Sequence, residues 1–296
     1  MKKNRRKTSL CFFLFAFALC LNAGCAQGKA VEAAPEKSAP EASAAIAYDP
    51  AAIRMPEAAG RVVMEKNGAY MDASNAAEGY VMVRCDAGGK LHKVGVSTDD
   101  AAYYYTLPKD GGFIVCPLQM GDGSYTVQVY EQVAGTQYSP LSKWALDVKL
   151  SDGTLPYLYP NQFVDYRATD ETVRVSFTQC AGVASDRAKA EKLYSFVAGE
   201  IAYDYDKAKT VQDGYLPAPD RTLQEKKGIC FDYAALLAAM LRVQNIPARL
   251  QMGELSPDGI YHAWNLVCID DLWYLMDATL DGQGYKDENY TAVKNY

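Results

Sequence analysis

A chain of 296 residues is long enough for two ordinary domains, and 49% hydrophobic with 22% charged residues excludes disorder as its general theme. The formal net charge of −6 excludes nucleic acid as an expected partner, because a phosphate backbone calls for a basic surface.

In chain order, Lys2, Lys3, Arg5, Arg6 and Lys7 precede an apolar run from Leu10 to Leu21. That run is too short to cross a bilayer and has the length of a secretory h-region, so residues 1–24 are read as a signal peptide. Asn22-Ala23-Gly24-Cys25 resembles the lipobox of bacterial lipoproteins, which makes Cys25 the expected lipid-bearing N-terminus of the mature chain, on the outer face of the cytoplasmic membrane. Asn22 stands where that motif carries leucine, so secretion after plain cleavage is the alternative. Without residues 1–24 the chain keeps 25 basic and 36 acidic residues, a net charge of about −11. Residues 25–57 are rich in Ala, Glu, Pro and Ser and poor in large apolar side chains, and are expected to form a flexible tether.

From 58 to 150 short alternating runs are separated by turn clusters at 86–89, 109–112 and 121–123. Val81, Val83 and Cys85 share one face, as do Tyr125, Val127 and Val129, and then Trp144, Leu146, Val148 and Leu150. The pattern predicts six to eight strands and an immunoglobulin-like sandwich. His92 is expected at a surface or edge position. The run Tyr103-Tyr104-Tyr105 suits strand packing, with a stacking surface for sugar or peptide as the other reading.

Ser151-Asp152-Gly153, followed by Pro156 and Pro160, marks the start of a second domain over 151–296. Ser185 or Asp186 can cap a helix whose stripe is Ala190, Leu193, Val197 and Ile201. A polar loop with Gly214, Pro217 and Pro219 then leads to a short turn around Leu223 that Gly228 can end. Cys230 opens an Ala/Leu/Met-rich helix carrying Leu236, Leu237, Met240 and Leu241 and ending at Asn245-Ile246-Pro247. At a helix N-terminus the unpaired N–H groups and the macrodipole favour thiolate over thiol and can stabilise an oxyanion.

Strand-like runs follow over 248–252, 260–269 and 272–279. If Asp270-Asp271 is a two-residue hairpin loop, Cys268 faces Trp273, Leu266 faces Leu275 and Trp264 faces Asp277, which brings His262 diagonally against Asp277. A thiol, an imidazole and a carboxylate are then in place for nucleophilic acyl transfer. With two histidines and no CxxC pair, no zinc spacing is present, and neither metal nor cofactor is expected. The five cysteines after Cys25 are odd in number; Cys230 is expected to be free, and pairing among Cys85, Cys116, Cys180 and Cys268 is open.

Gly228-x-Cys230-x-Asp232-Tyr233-Ala234, Ile246-Pro247-Ala248-Arg249, His262-Ala263-Trp264-Asn265 and Trp273 with Asp277-Ala278-Thr279 resemble the bacterial transglutaminase-like superfamily. The resemblance covers about residue 157 to the end, includes Tyr203-Asp204-Tyr205, and implies a papain-like α+β fold. It implies Cys230 as nucleophile, His262 as general base and acid, and Asp277 as orienter, in agreement with the chemical reading. Leu266 and Ala278 depart from the acidic residue and proline common at those positions. Gln224, Tyr203, Tyr205 and Trp264 are candidate oxyanion or cleft residues. The implied function is hydrolysis of an amide in a peptide or protein, cell-wall peptide included. Transamidation to an amine, or a silent surface-binding scaffold, are the alternatives. No tryptophan precedes the cysteine closely and no EF-hand spacing occurs, which speaks against a calcium-dependent cross-linking enzyme.

Overall fold

The computed structural model describes residues 48–280 and 289–296, so the expected signal peptide, Cys25 and the expected tether up to residue 47 lie outside the described residues. Residues 48–57 share the tether's composition, yet they are docked. The Tyr48 ring stacks on Phe177 at 5.0 Å, Ile53 is buried, Met55 packs on the core, and Arg54 Nε donates to Asn245 Oδ1 at 3.2 Å. These three apolar side chains give this end of the stretch something to bury.

Eight strands occupy the next ninety residues: β1 (Val63–Lys66), β2 (Ala69–Asp72), β3 (Tyr80–Cys85), β4 (His92–Ser97), β5 (Ala102–Leu107), β6 (Ile114–Pro117), β7 (Gly123–Ala134) and β8 (Gln137–Val148). They form two four-stranded antiparallel sheets of order β1-β2-β3-β6 and β5-β4-β7-β8. Val81 and Val83 from one and Val94, Val127 and Val129 from the other belong to one buried core. Since β4 lies between β5 and β7, His92 is buried at 5% exposure near Glu131, which corrects the surface or edge position expected for it. Tyr103 and Tyr105 point inward, and Tyr104 is 55% exposed.

The second half builds α1 (Glu171–Cys180), α2 (Asp186–Glu200), β9 (Ala202–Tyr203), α3 (Tyr205–Thr210), α4 (Pro219–Glu225), β10 (Lys227–Gly228), α5 (Cys230–Val243), β11 (Ala248–Leu255), β12 (Ile260–Ile269), β13 (Leu272–Met276) and β14 (Tyr290–Asn295). Ser185 caps α2 by accepting from Ala188 N, and Ala190, Leu193 and Val197 are its buried stripe. Strands β13-β12-β11-β14 form an antiparallel sheet. The β12–β13 register pairs Leu266 with Leu275, Cys268 with Trp273 and Ile269 with Leu272, as the alternation predicts. Asp270 and Asp271 both have positive φ (53° and 62°), the backbone a type I′ hairpin requires. Strand β14 and the short parallel pair β9–β10 carry no comparable sequence signal. The chain is thus mixed α and β, with antiparallel sheets, and among the described residues no helix is long and apolar enough to cross a membrane.

Helix α5 is the centre of this half. Every residue from Phe231 to Val243 is buried, with α1, α2 and α4 on some sides and β11 and β12 on another. Ala234, Ala235, Ala238 and Ala239 let those neighbours approach closely, and each buried Leu or Met contributes roughly 1.5–3 kcal/mol. At its end Arg242 is 1% exposed and donates to the carbonyls of Ala248, Tyr159 and Tyr296 at 2.7 to 3.1 Å. Burial pulls its pKa down to about 10, so it stays charged at neutral pH. Its fork ties the segment before α1, the start of β11 and the last residue to one helix end. Arg242→Met should cost about 3 kcal/mol in denaturant unfolding, since buried carbonyls lose their donors, and Arg242→Lys should recover only part because it lacks the planar fork.

Candidate active site

Cys230 is the first residue of α5, half-buried and unpaired; Cys85, Cys116, Cys180 and Cys268 are also free thiols, all buried. The chain enters α5 through β10, which pairs in parallel with β9 so that Gly228 faces Tyr203. The preceding helix α4 ends on Lys226, which takes the left-handed conformation (φ 51°) that was expected of Gly228. Glycine at 228 has another cause. A Cβ there would stand 2.6 Å from the Cβ of Asp232.

That contact matters because Asp232, fully buried in the first turn of α5, folds back to accept from the N–H of Ile229 at 2.9 Å. Its carboxylate also accepts from Tyr215 Oη at 2.5 Å and Lys207 Nζ at 2.7 Å, and Lys207 donates to Tyr215 at 2.6 Å. Burial alone would lower the Lys207 pKa, but the bonds to Asp232 and Tyr215 raise it. A carboxylate in this turn competes with a Cys230 thiolate for the helix dipole; Lys207 cancels that charge. The same bonds pin the loop 211–215 to α5.

His262, on β12 and 5% exposed, holds Asp277 Oδ2 through Nε2 at 2.7 Å and lines the same cleft as Cys230. Burial opposes the imidazolium, but the bond to Asp277 and the nearness of Cys230 outweigh it and push the His262 pKa up to about 9. Asp277 lies one residue beyond β13. Its Oδ2 also accepts from Tyr290 Oη at 2.9 Å, and its Oδ1 accepts from the N–H groups of Thr279 at 3.0 Å and Leu280 at 3.2 Å. The structure therefore brings Cys230, His262 and Asp277 together.

A cleft of about 310 Å³ opens over Cys230 and His262. Its walls include Tyr203, Val211 to Tyr215, Phe231, Met252 and Tyr261. Of the cleft candidates from sequence, Tyr203 lines it. The other three do not. Gln224 faces solvent on α4, whose inward residues are Thr222 and Leu223; Tyr205 is 70% exposed and touches the cleft only through the Tyr203 ring, 4.9 Å away. Trp264 is buried behind His262, its ring stacked at 6.3 Å and its Nε1 donating to Gln251 Oε1 at 2.7 Å. Sequence reasoning passed over Asp232, Lys207, Tyr215, Tyr261 and Tyr290. An acidic residue three positions into a helix signals the Asp232 bond, whereas Tyr290 carries no local signal. Among the described residues no group of three or more His, Cys, Asp or Glu is placed to hold a metal ion.

Residues 174–278 match the Transglutaminase-like superfamily. Over 101 residues the chain is 35% identical to the UPF0252 protein MJ1282 of Methanocaldococcus jannaschii, and the match spans 31% of this chain and 29% of that relative. Among solved structures, a candidate cysteine protease from Cytophaga hutchinsonii aligns over 73% of this chain and 83% of its own at 13% identity and a TM-score of 0.42. The periplasmic domain of TgpA from Pseudomonas aeruginosa aligns over 73% and 97% at 15% identity and a TM-score of 0.34. Red sea bream transglutaminase aligns over 76% and 50% at 14% identity and a TM-score of 0.31.

Asp232→Asn removes the charge that Lys207 answers and should destabilise the protein by about 2–3 kcal/mol. Amide hydrogen exchange across 211–215 should accelerate more than the global stability loss explains. Tyr215→Phe, which leaves the ion pair, should cost about 1 kcal/mol.

Proposed function

We propose, with the transglutaminase-like domain over residues 174–278 as the premise, that this chain is a thiol enzyme that attacks amide carbonyls of peptides or proteins through Cys230. One observation carries the reading: a free cysteine at the N-terminus of a buried helix shares a cleft with a histidine whose Nε2 is held by a carboxylate at 2.7 Å. In this reaction the thiol proton passes to His262 and sulfur adds to the carbonyl carbon, while the N–H groups at the start of α5 face the oxyanion. The imidazolium then protonates the departing amine, leaving a thioester on Cys230. Asp277 steadies the imidazolium and fixes its orientation.

Water resolving the thioester makes the enzyme a peptidase or amidase, and this is the proposed outcome. An amine would make it an acyltransferase. The basic-then-apolar N-terminus and Cys25 support an exported, lipid-anchored protein whose substrate, cell-wall peptide included, lies outside the cytoplasm. Metabolic labelling with a fatty acid should tag the parent and not Cys25→Ser. The test of chemistry is a panel of peptides with and without added amines. Cleavage without γ-glutamyl-amine product supports hydrolysis, and cross-linking alone would replace it with acyl transfer. Cys230→Ala and His262→Ala turning over substrate as fast as the parent would leave only a binding scaffold.

A raised His262 pKa fixes the pH profile. The imidazolium that protonates the leaving amine persists up to about pH 9, so kcat/KM should fall on the alkaline side near pH 9. Asp277→Asn removes the bond that raises it. The alkaline limb should move to lower pH, with a rate loss of at least about tenfold.

A further inference from the structure

Strand β14 is an edge strand that contributes nothing to the cleft walls, yet it delivers a hydroxyl into the centre of the site. Tyr290 is its first residue, paired with Leu255 at the far end of β11. The close approach depends on Gly253, which faces His262 on β12 and Ala292 on β14 at the point where the β11–β14 register shifts. A Cβ at 253 would collide with the carbonyl oxygen of Thr291. The Tyr290 ring then lies edge-on to Trp264, with centroids 5.0 Å apart, and Trp264 in turn stacks on His262. Farther along, Lys294 Nζ donates to Ala102 O at 2.7 Å, Gln119 Nε2 to Asn295 O at 3.2 Å, and Arg242 to Tyr296 O, so the N-terminal half of the chain and α5 together hold this strand in place.

We propose that Tyr290 is a positioning residue of the thiol site: its hydroxyl shares the Asp277 oxygen that His262 uses, and so sets how strongly that carboxylate holds the imidazole. The assignment rests on the thiol-enzyme reading above. Each oxygen of Asp277 accepts two bonds, Oδ1 from Thr279 and Leu280 and Oδ2 from His262 and Tyr290. The two backbone donors fix the plane of the carboxylate. Tyr290 is the donor that competes with His262 on the same atom, and a phenol spreading the charge of Oδ2 weakens its hold on the imidazolium. Among the described residues, the polar side chains facing the pair include Cys230 from α5, Tyr290 from β14 and Tyr194 from α2, whose hydroxyl donates to Asp277 O at 3.2 Å. A moderated carboxylate keeps the imidazolium acidic enough to protonate a leaving amine.

Tyr290→Phe keeps the ring against Trp264 and deletes only the hydroxyl. The chain has two histidines, so after His92→Gln the imidazole resonances report His262 alone. In Tyr290→Phe the His262 midpoint should rise by about half a pH unit, with the alkaline limb of Cys230 alkylation following it and kcat for peptide cleavage falling by roughly threefold to tenfold. Replacing Tyr290 by 3,5-difluorotyrosine, a stronger donor of nearly the same shape, should move the midpoint down, a readout that holds even where Tyr290→Phe folds poorly. A folded parent with a reactive Cys230 whose His262 titration is the same with Tyr, Phe and difluorotyrosine at 290 overturns this assignment alone. A parent whose Cys230 alkylates no faster than that of His262→Ala overturns the thiol-enzyme reading and this assignment with it.

Discussion

The depth at which α5 is buried is the constraint on which the site depends. A helix enclosed on all sides cannot shift or rotate without opening voids against α1, α2, α4 and the sheet, so its first residue is fixed as firmly as its core. Its position along β12 is set by a buried polar contact, Asn265 Nδ2 donating to Ala234 O at 3.0 Å. Ala234 is four residues past Cys230 and Asn265 three past His262. One hydrogen bond thus places the thiol and the imidazole relative to each other, and leaving that amide unpaired inside the core would be costly.

Charge management follows from that burial. Among the described residues, Asp232 and Asp277 lie within one turn or one bond of Cys230 and His262, and each is neutralised differently. Asp232 meets a lysine and a phenol, which makes it a structural anchor for the loop 211–215 and removes its repulsion of a thiolate. Asp277 meets an imidazole, a phenol and two backbone donors, and its charge is spent on raising His262. The same residue type has opposite consequences because one partner carries a permanent charge and the other can gain or lose a proton.

The N-terminal sheets are mechanically part of this arrangement. Besides their bonds to β14, Tyr103 packs edge-on to Tyr296 at 5.5 Å, and Phe163 lies 3.9 Å from the Tyr296 ring, so the core runs from the first sheets to the last strand without interruption. The edge strand carrying Tyr290 is therefore supported from both halves of the chain.

Much of the site could be read along the chain because it rests on local periodicity. Cys230 at a helix start, the two-residue turn at Asp270-Asp271 and the alternation from Trp264 to Leu275 are short-range patterns, and a hairpin register turns alternation into a distance between His262 and Asp277. The composition of residues 48–57 and the strand holding His92 misled for a related reason: docking and strand order depend on partners far away in sequence. Asp232 and Lys207 are 25 residues apart, and Asp277 and Tyr290 are 13 apart across a different strand pairing. The amino-acid order specified the thiol, the imidazole and the carboxylate and the local patterns that bring them together. The folded core alone specified what neutralises, anchors and tunes them, because those contacts form only when separate elements pack.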